Sequence, residues 1–377
     1  MNASCAINKQ SLAVFTTFLL LAGCGGGGGS GNASNPGPPD VTEPAVTAMS
    51  PGEDSTGIGT TSKLTVTLSE SMAAAGINAD NFRVTNESSS ISGTVRYDST
   101  NKIAVFTPSS PLAPDTRYTA TMVTGIKDLA DNPLSSDFAW CFVTGSGVDD
   151  TAPSVTSTVP IEAATDVAGN QKISATFSEE IDTSTLTPST FTLLGPGNTS
   201  ILGTVTYLDR TMVFKPNNTL ASNTAYTASI ENVRDLAGNV LQPAASWTYT
   251  TGTNADTLAP LVISTSPAAA VTGVPVSSHI RATFSEPMDP TSLTTANFFV
   301  MAPSNIRLIG TVSFDSTNNT ATFTRINHER TYVGPHPTPV SYLDANTVYT
   351  VTITTGVKDM AGRALANNLV WQFTTLP

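Results

Sequence analysis

The sequence predicts an all-β protein of three tandem β-sandwiches, about seven strands each, and three observations predict it. The first is composition. Of 377 residues only 12% are charged, Thr, Ser, Gly, Pro and Val are abundant, and no Lys/Glu-rich stretch with helical spacing occurs. The second is period-two alternation of apolar residues, which gives a strand one buried face. The third is repetition: five landmarks recur in the same order three times, in a chain too long for one sandwich of roughly 100 residues.

At the N-terminus, residues 1–23 carry one basic residue, Lys9, then the apolar run Leu12 to Leu21, then Leu21-Ala22-Gly23-Cys24. Such a segment reads as a signal peptide, too short to span a membrane stably. Leu-Ala-Gly-Cys in that position resembles the lipobox of bacterial lipoproteins. The resemblance implies lipidation at Cys24, cleavage before it, and a membrane hold by acyl chains. Residues 24–40, with Gly25 to Gly29 and Pro36-Gly37-Pro38-Pro39, cannot build a core and form a flexible tether spanning on the order of 20 Å. Gly25 is not the Asp that resembles an inner-membrane retention signal, so the expected location is the cell envelope, at the outer membrane or cell surface. With Cys5 removed and Cys24 lipidated, Cys141 is left as the one thiol of the exported chain, which leaves no intrachain disulfide and no zinc-finger site.

The repeats then fall at residues 41–146, 149–253 and 256–377. Each opens with an alternating strand (Leu64/Val66/Leu68, Ile173/Ala175/Phe177, Ile280/Ala282/Phe284) that ends on Ser-Glu: Ser69-Glu70, Ser178-Glu179 and Ser285-Glu286. Helical structure is expected only as short turns after that point. Gly-Thr-Val follows at Gly93, Gly203 and Gly310. A Leu-x-x-x-Thr-x-Tyr frame leads to Tyr118, Tyr226 and Tyr349, where a tyrosine corner would sit. Each copy closes with Asp-Leu/Met-Ala (Asp128, Asp235, Asp359) and a Trp-x-aromatic pair at Trp140, Trp247 and Trp371. Proline in the short linkers Asp149 to Pro153 and Asp256 to Pro260 restricts the junctions, so a semi-extended rod is expected.

These residues, with the openings Pro153 to Pro160 and Pro260 to Pro267 and the run Asp235 to Asn239, resemble the bacterial Ig-like domains of S-layer and other surface proteins. The resemblance spans residues 41–377. It implies architecture and an exported location, and supplies no catalytic residue.

A net charge of −12, dispersed along the chain, excludes the basic stripe that nucleic acid requires. No Gly-x-Ser-x-Gly elbow, His-Glu-x-x-His helix, phosphate loop or Cys-x-x-Cys pair is present, so no catalytic residue is named and no enzyme is expected. The repeated Glu70, Glu179 and Glu286, and Asp128, Asp235 and Asp359, read first as turn and cap residues needed in every copy. The alternative is Ca²⁺ binding, with Asp149, Asp150 and Asp256 at the junctions joined by a loop Glu or Asp. Copy three holds 25 residues between Phe323 and Tyr349, against 11 in each other copy. This insertion near 325–342 gathers Arg325, His328, Arg330, Tyr332, His336 and Tyr342, residues suited to an envelope glycan or protein partner. The function expected is a membrane-anchored envelope protein acting as a structural, spacer or adhesive module. The alternatives are an accessory lipoprotein that positions an exported enzyme or S-layer lattice, and a carbohydrate-active enzyme.

Overall fold

The structure, a computed structural model, describes residues 40–87, 89–187, 189–326 and 343–377. Within them each copy is a sandwich of two sheets. In the first, one sheet orders Val46–Ser50, Leu64–Leu68, Ile103–Pro108 and Gly93–Asp98; the other orders Ser55–Ile58, Phe138–Thr144, Arg117–Met122 and Phe82–Thr85. Copies two and three repeat the first of these sheets. The first sheet is Val155–Val159, Ile173–Phe177, Thr211–Pro216, Gly203–Leu208 in one and Val262–Ser266, Ile280–Phe284, Thr320–Arg325, Gly310–Asp315 in the other. The described strands number eight, nine and eight, the surplus over seven being short edge pieces such as Ser55–Ile58 and Thr199–Ser200. Short 3-10 turns follow the Ser-Glu landmark at Ala74–Gly76, Thr183–Thr185 and Pro290–Ser292, and two more, at Pro196–Asn198 and Pro303–Asn305, were not foreseen.

The alternating residues build the cores. Trp140, Trp247 and Trp371 are buried, each beside a Phe from the strand two places away in the same sheet, with ring centroids 5.9 Å (Phe82), 5.7 Å (Phe191) and 6.4 Å (Phe298) apart, a spacing at which aromatic pairs attract. The tyrosines close their corners: Tyr118, Tyr226 and Tyr349 hydroxyls accept from the N–H of Ala113, Ala221 and Asp344 at 2.8, 2.9 and 2.8 Å. The Gly-Thr-Val glycine is fixed by close approach. A methyl group at Gly93, Gly203 or Gly310 would stand 2.3, 2.5 or 2.4 Å from Cζ of Phe106, Phe214 or Phe323, whose rings lie over the glycine.

The sandwiches touch one another directly. Lys63 bonds Asp182 of the second domain, and Lys172 bonds Asp289 of the third. The backbone N–H of the same two lysines donates to Leu236 O (3.1 Å) and Met360 O (2.8 Å). Asn101 Oδ1 accepts from Tyr207 N at 2.8 Å, and Ser157 Oγ meets Ser316 Oγ at 2.9 Å. Ile326 of the third copy packs into the first domain's apolar cluster. The linkers alone leave open whether the sandwiches of the expected rod touch, and they do. The reason lies in the strand Ile103–Pro108, where Ala104 and Phe106 face the first core while Ile103 and Val105 join the second domain's cluster. A run apolar on both faces must be covered on both. The outward face grows more polar along the chain, from Ile103/Val105 through Thr211/Val213 to Thr320/Thr322. In copy three it lines an open polar groove of about 370 Å³ with Ser264, Ser266, Arg281 and Thr283. The junction pair is confined to the interior of the array: the position of Asp182 and Asp289 is Ala73 in copy one, and that of Lys63 and Lys172 is His279 in copy three.

Replacing Gly203 by Ala is expected to displace the Phe214 ring and destabilise the second domain by about 1–3 kcal/mol, as overpacking does. Chemical denaturation of the full chain checks this; an unchanged midpoint would contradict the close-approach reading.

Candidate functional site: a carboxylate cluster repeated in each domain

Three local devices bring the repeated acidic residues together. The serine before each glutamate staples the opening strand: Ser69, Ser178 and Ser285 Oγ accept from Ala45, Ser154 and Leu261 N–H at 2.9, 3.1 and 3.0 Å. The linker aspartates turn the incoming chain, Asp40, Asp149 and Asp256 Oδ1 accepting from Thr42, Thr151 and Leu258 N–H at 2.9, 3.0 and 3.0 Å. The Asp-Leu/Met-Ala hairpin folds around its aspartate. Asp128 Oδ1 accepts from Ala130 and Asn132 N–H, Asp235 Oδ1 from Gly238 and Asn239, and Asp359 Oδ1 from Ala361 and Arg363, all at 2.6–2.8 Å. Bridges Met72–Asp128, Ile181–Asp235 and Met288–Asp359 lay that hairpin beside the Ser-Glu segment. The outcome is one carboxylate from each device, with oxygens within 4.8 Å of one another: Asp40/Glu70/Asp128, Asp149/Glu179/Asp235 and Asp256/Glu286/Asp359.

Three acidic groups this close resist full ionisation. Burial, reinforced by Asp235 and Asp149, pushes Glu179 up to about 7. Burial, reinforced by Asp256 and Asp359, does the same to Glu286. Burial and then Asp128 and Asp40 raise Glu70 as well, against the pull of Lys102. At the first and second domains' boundary Glu180 also rises to about 7 through burial and Asp209, although it accepts from the Tyr207 hydroxyl at 2.7 Å. A set of oxygen donors alone suits a shared proton or a hard cation.

The clusters are not identical. In copies one and two the second oxygen of the hairpin aspartate is occupied, by Asn132 Nδ2 on Asp128 Oδ2 and Asn239 Nδ2 on Asp235 Oδ2, both at 2.8 Å. Although burial pushes Asp128 up, these bonds and the hairpin N–H groups hold it below its ordinary value. Copy three has Arg363 where the asparagines stand. Its Nε faces Asp256 O at 3.3 Å, and Asp359 Oδ2 is buried without a hydrogen-bond partner. Burial, with Asp256 adding to it, raises Asp359.

Of the residues singled out in the sequence, Asp149 and Asp256 join clusters, whereas Asp150 is exposed and lies in none. Asp40, the counterpart of Asp149 and Asp256, was missed, although Asp-x-Thr at Asp40 to Thr42 repeats Asp149 to Thr151. Arg325 pairs with Asp344 at 3.2 Å at the base of the insertion. His328, Arg330, Tyr332, His336 and Tyr342, like Cys24, lie outside the described residues. Cys141 is buried, 3.3 Å from Thr119 Oγ1.

Two-sheet sandwiches in tandem, each with the same corner tyrosine, stapled strand and acidic hairpin, define an array of immunoglobulin-like modules. The bacterial Ig-like domain family pattern matches residues 40–144, 149–251 and 256–375, and the chain belongs to that family. No curated protein matches. Among solved structures the chain is similar to surface layer protein SbsC, domains 1–6 (11% identity, 89% of this chain, 54% of that one, TM-score 0.24). The N-terminal part of S-layer protein SbsC gives 14% identity over 59% of this chain and 44% of that one, at a TM-score of 0.23. The BSP domain of a biofilm-associated protein gives 17% identity, 56% and 30% coverage and a TM-score of 0.19. The chain thus spans about half the length of the SbsC structures, and at these scores the likeness adds nothing to the family match.

The raised glutamates set a sign for pH dependence. A carboxyl whose folded pKa of about 7 exceeds its ordinary 4.5 keeps its proton in the folded state after the unfolded chain has lost it, so stability falls as pH rises between those values. Melting temperatures in chelator are expected to decline from about pH 4.5 to about pH 7 and level off above. Glu179→Gln and Glu286→Gln should flatten that decline. A melting temperature that climbs through the window would contradict the assignment.

Proposed function

We propose that this protein is an exported envelope module, a structural or adhesive spacer tethered to the membrane by lipid on Cys24. The observation that carries the reading is the array itself: three domains of one bacterial family, joined by the same Lys–Asp junction twice, behind a leader ending in Leu21-Ala22-Gly23-Cys24. Direct contacts between the sandwiches suit a body that holds a surface at a fixed distance, and the tether of residues 24–40 suits attachment to a bilayer. No helix among the described residues is long and apolar enough to cross a membrane. Recognition is assigned to the insertion near 325–342 of copy three, whose arginine, histidine and tyrosine content favours glycan or protein surfaces.

The anchor is tested by Cys24→Ala, which should release the protein from the membrane fraction or leave it unprocessed, with mass spectrometry of the wild-type N-terminal peptide showing a thioether-linked diacylglycerol. Wild-type Cys24 found in a disulfide with Cys141, or Cys24→Ala protein retained on membranes through a high-salt wash, would overturn it. The recognition loop is tested by trimming Asn327 to Ser341 to a short Gly-Ser turn. Binding to envelope glycans and whole cells should be lost with the fold intact; retention of all binding would refute the loop's role.

A further inference from the structure

The third carboxylate cluster differs from its two counterparts in ways that bear on ligand binding. Asp359 is 1% exposed. Its Oδ1 is engaged by Ala361 and Arg363 N–H at 2.8 Å, and its Oδ2 has no hydrogen-bond partner. Leaving a buried carboxylate oxygen unpaired is costly, and copies one and two avoid it with Asn132 and Asn239. Counter-charge differs from that of copy one, where Lys102 acts on Glu70. The left-handed turn residue whose carbonyl accepts from Leu68, Phe177 or Phe284 N–H is Lys102, Arg210 or Asn319; only the third is uncharged. Arg363 turns its Nε to a carbonyl, and among the described residues no Lys or Arg forms an ion pair with Asp256, Glu286 or Asp359.

We propose that Asp256, Glu286 and Asp359 bind a calcium ion. The three donors are carboxylate oxygens, the hard ligands that calcium takes. Their oxygens lie within 4.8 Å of one another, close enough to share one ion, and three carboxylates on one ion suit calcium, with its flexible shell of about six to eight oxygen ligands, better than magnesium, which keeps several waters. Two positive charges against three acidic groups replace the proton that Glu286, pushed up to about 7, otherwise retains. The ion ties the linker residue Asp256 to the body of its own domain through Glu286 and Asp359, so calcium stiffens the entry to the third sandwich. This inference goes beyond the spacer reading and does not depend on the membrane anchor.

The test is calorimetric titration of calcium chloride into the chelator-stripped full-length protein at pH 7.5, with magnesium chloride in parallel. The wild type should show a calcium event that Asp359→Asn and Glu286→Gln each weaken by about tenfold or more through loss of a charged ligand, while Glu179→Gln in the second domain leaves it in place. Calcium should also raise the melting temperature of the wild type and not of Glu286→Gln. Glu286 is only part-buried, so its variant is expected to fold even if Asp359→Asn is not. Absence of calcium heat in the wild type, unchanged calcium binding in folded Glu286→Gln, or magnesium binding as tightly as calcium would overturn the proposal; the first would leave a shared proton only.

Discussion

A buried aspartate folding a hairpin around its own carboxylate is the contact on which most else in each domain depends. Asp128, Asp235 and Asp359 are each nearly inaccessible, and each accepts two backbone N–H groups within four residues. In water those N–H groups would be solvated; in the sandwich they are satisfied locally, and the hairpin can be pressed against the Ser-Glu segment. That placement puts the residue after the aspartate where its carbonyl meets the preceding domain: Leu236 O and Met360 O receive the N–H of Lys63 and Lys172. One side chain therefore shapes both the acidic cluster and the junction. Burial is the first cause of the raised glutamates, and the aspartate reinforces it, since the geometry that satisfies the backbone leaves a carboxylate facing two others.

The junction adds an electrostatic requirement to an apolar one. Asp182 and Asp289 cap the 3-10 turns Thr183–Thr185 and Pro290–Ser292 through Ser184 and Thr291 N–H, and are buried by the neighbouring domain. Burying such a carboxylate costs several kcal/mol unless it is paired. Burial raises Asp182, but the bond from Lys63 and those from Ser184 bring it below its ordinary value. Ile103 and Val105 supply the area removed from water; the lysine makes that burial compatible with a charged cap.

Much of this was legible in the sequence. Alternation located the strands and their inward faces, and the repeated Gly, Tyr and Trp landmarks marked a close approach, a corner and a core. The acidic cluster was legible only in part, because Glu70 and Asp128 lie 58 positions apart and nothing local in the sequence says that a bridge joins them. The packing of domain on domain is carried by Ile103-Ala104-Val105-Phe106, a run that none of the repeated landmarks includes. A continuous apolar run, set against Thr320-Ala321-Thr322-Phe323 in copy three, carried the signal that one outer face is covered and the other open.

Ala73 and His279 mark the two positions where the Lys–Asp junction pair is missing. A second molecule docking end to end would set a face with no carboxylate against a face with no lysine, and would bring the polar surface of Thr320 and Thr322 where Ile103 and Val105 supply apolar area within the chain. Such a contact would lack the Lys–Asp pair that joins one sandwich to the next within the chain. Docking of the same geometry between molecules would therefore have to be stabilised by other contacts than those that join one sandwich to the next within the chain.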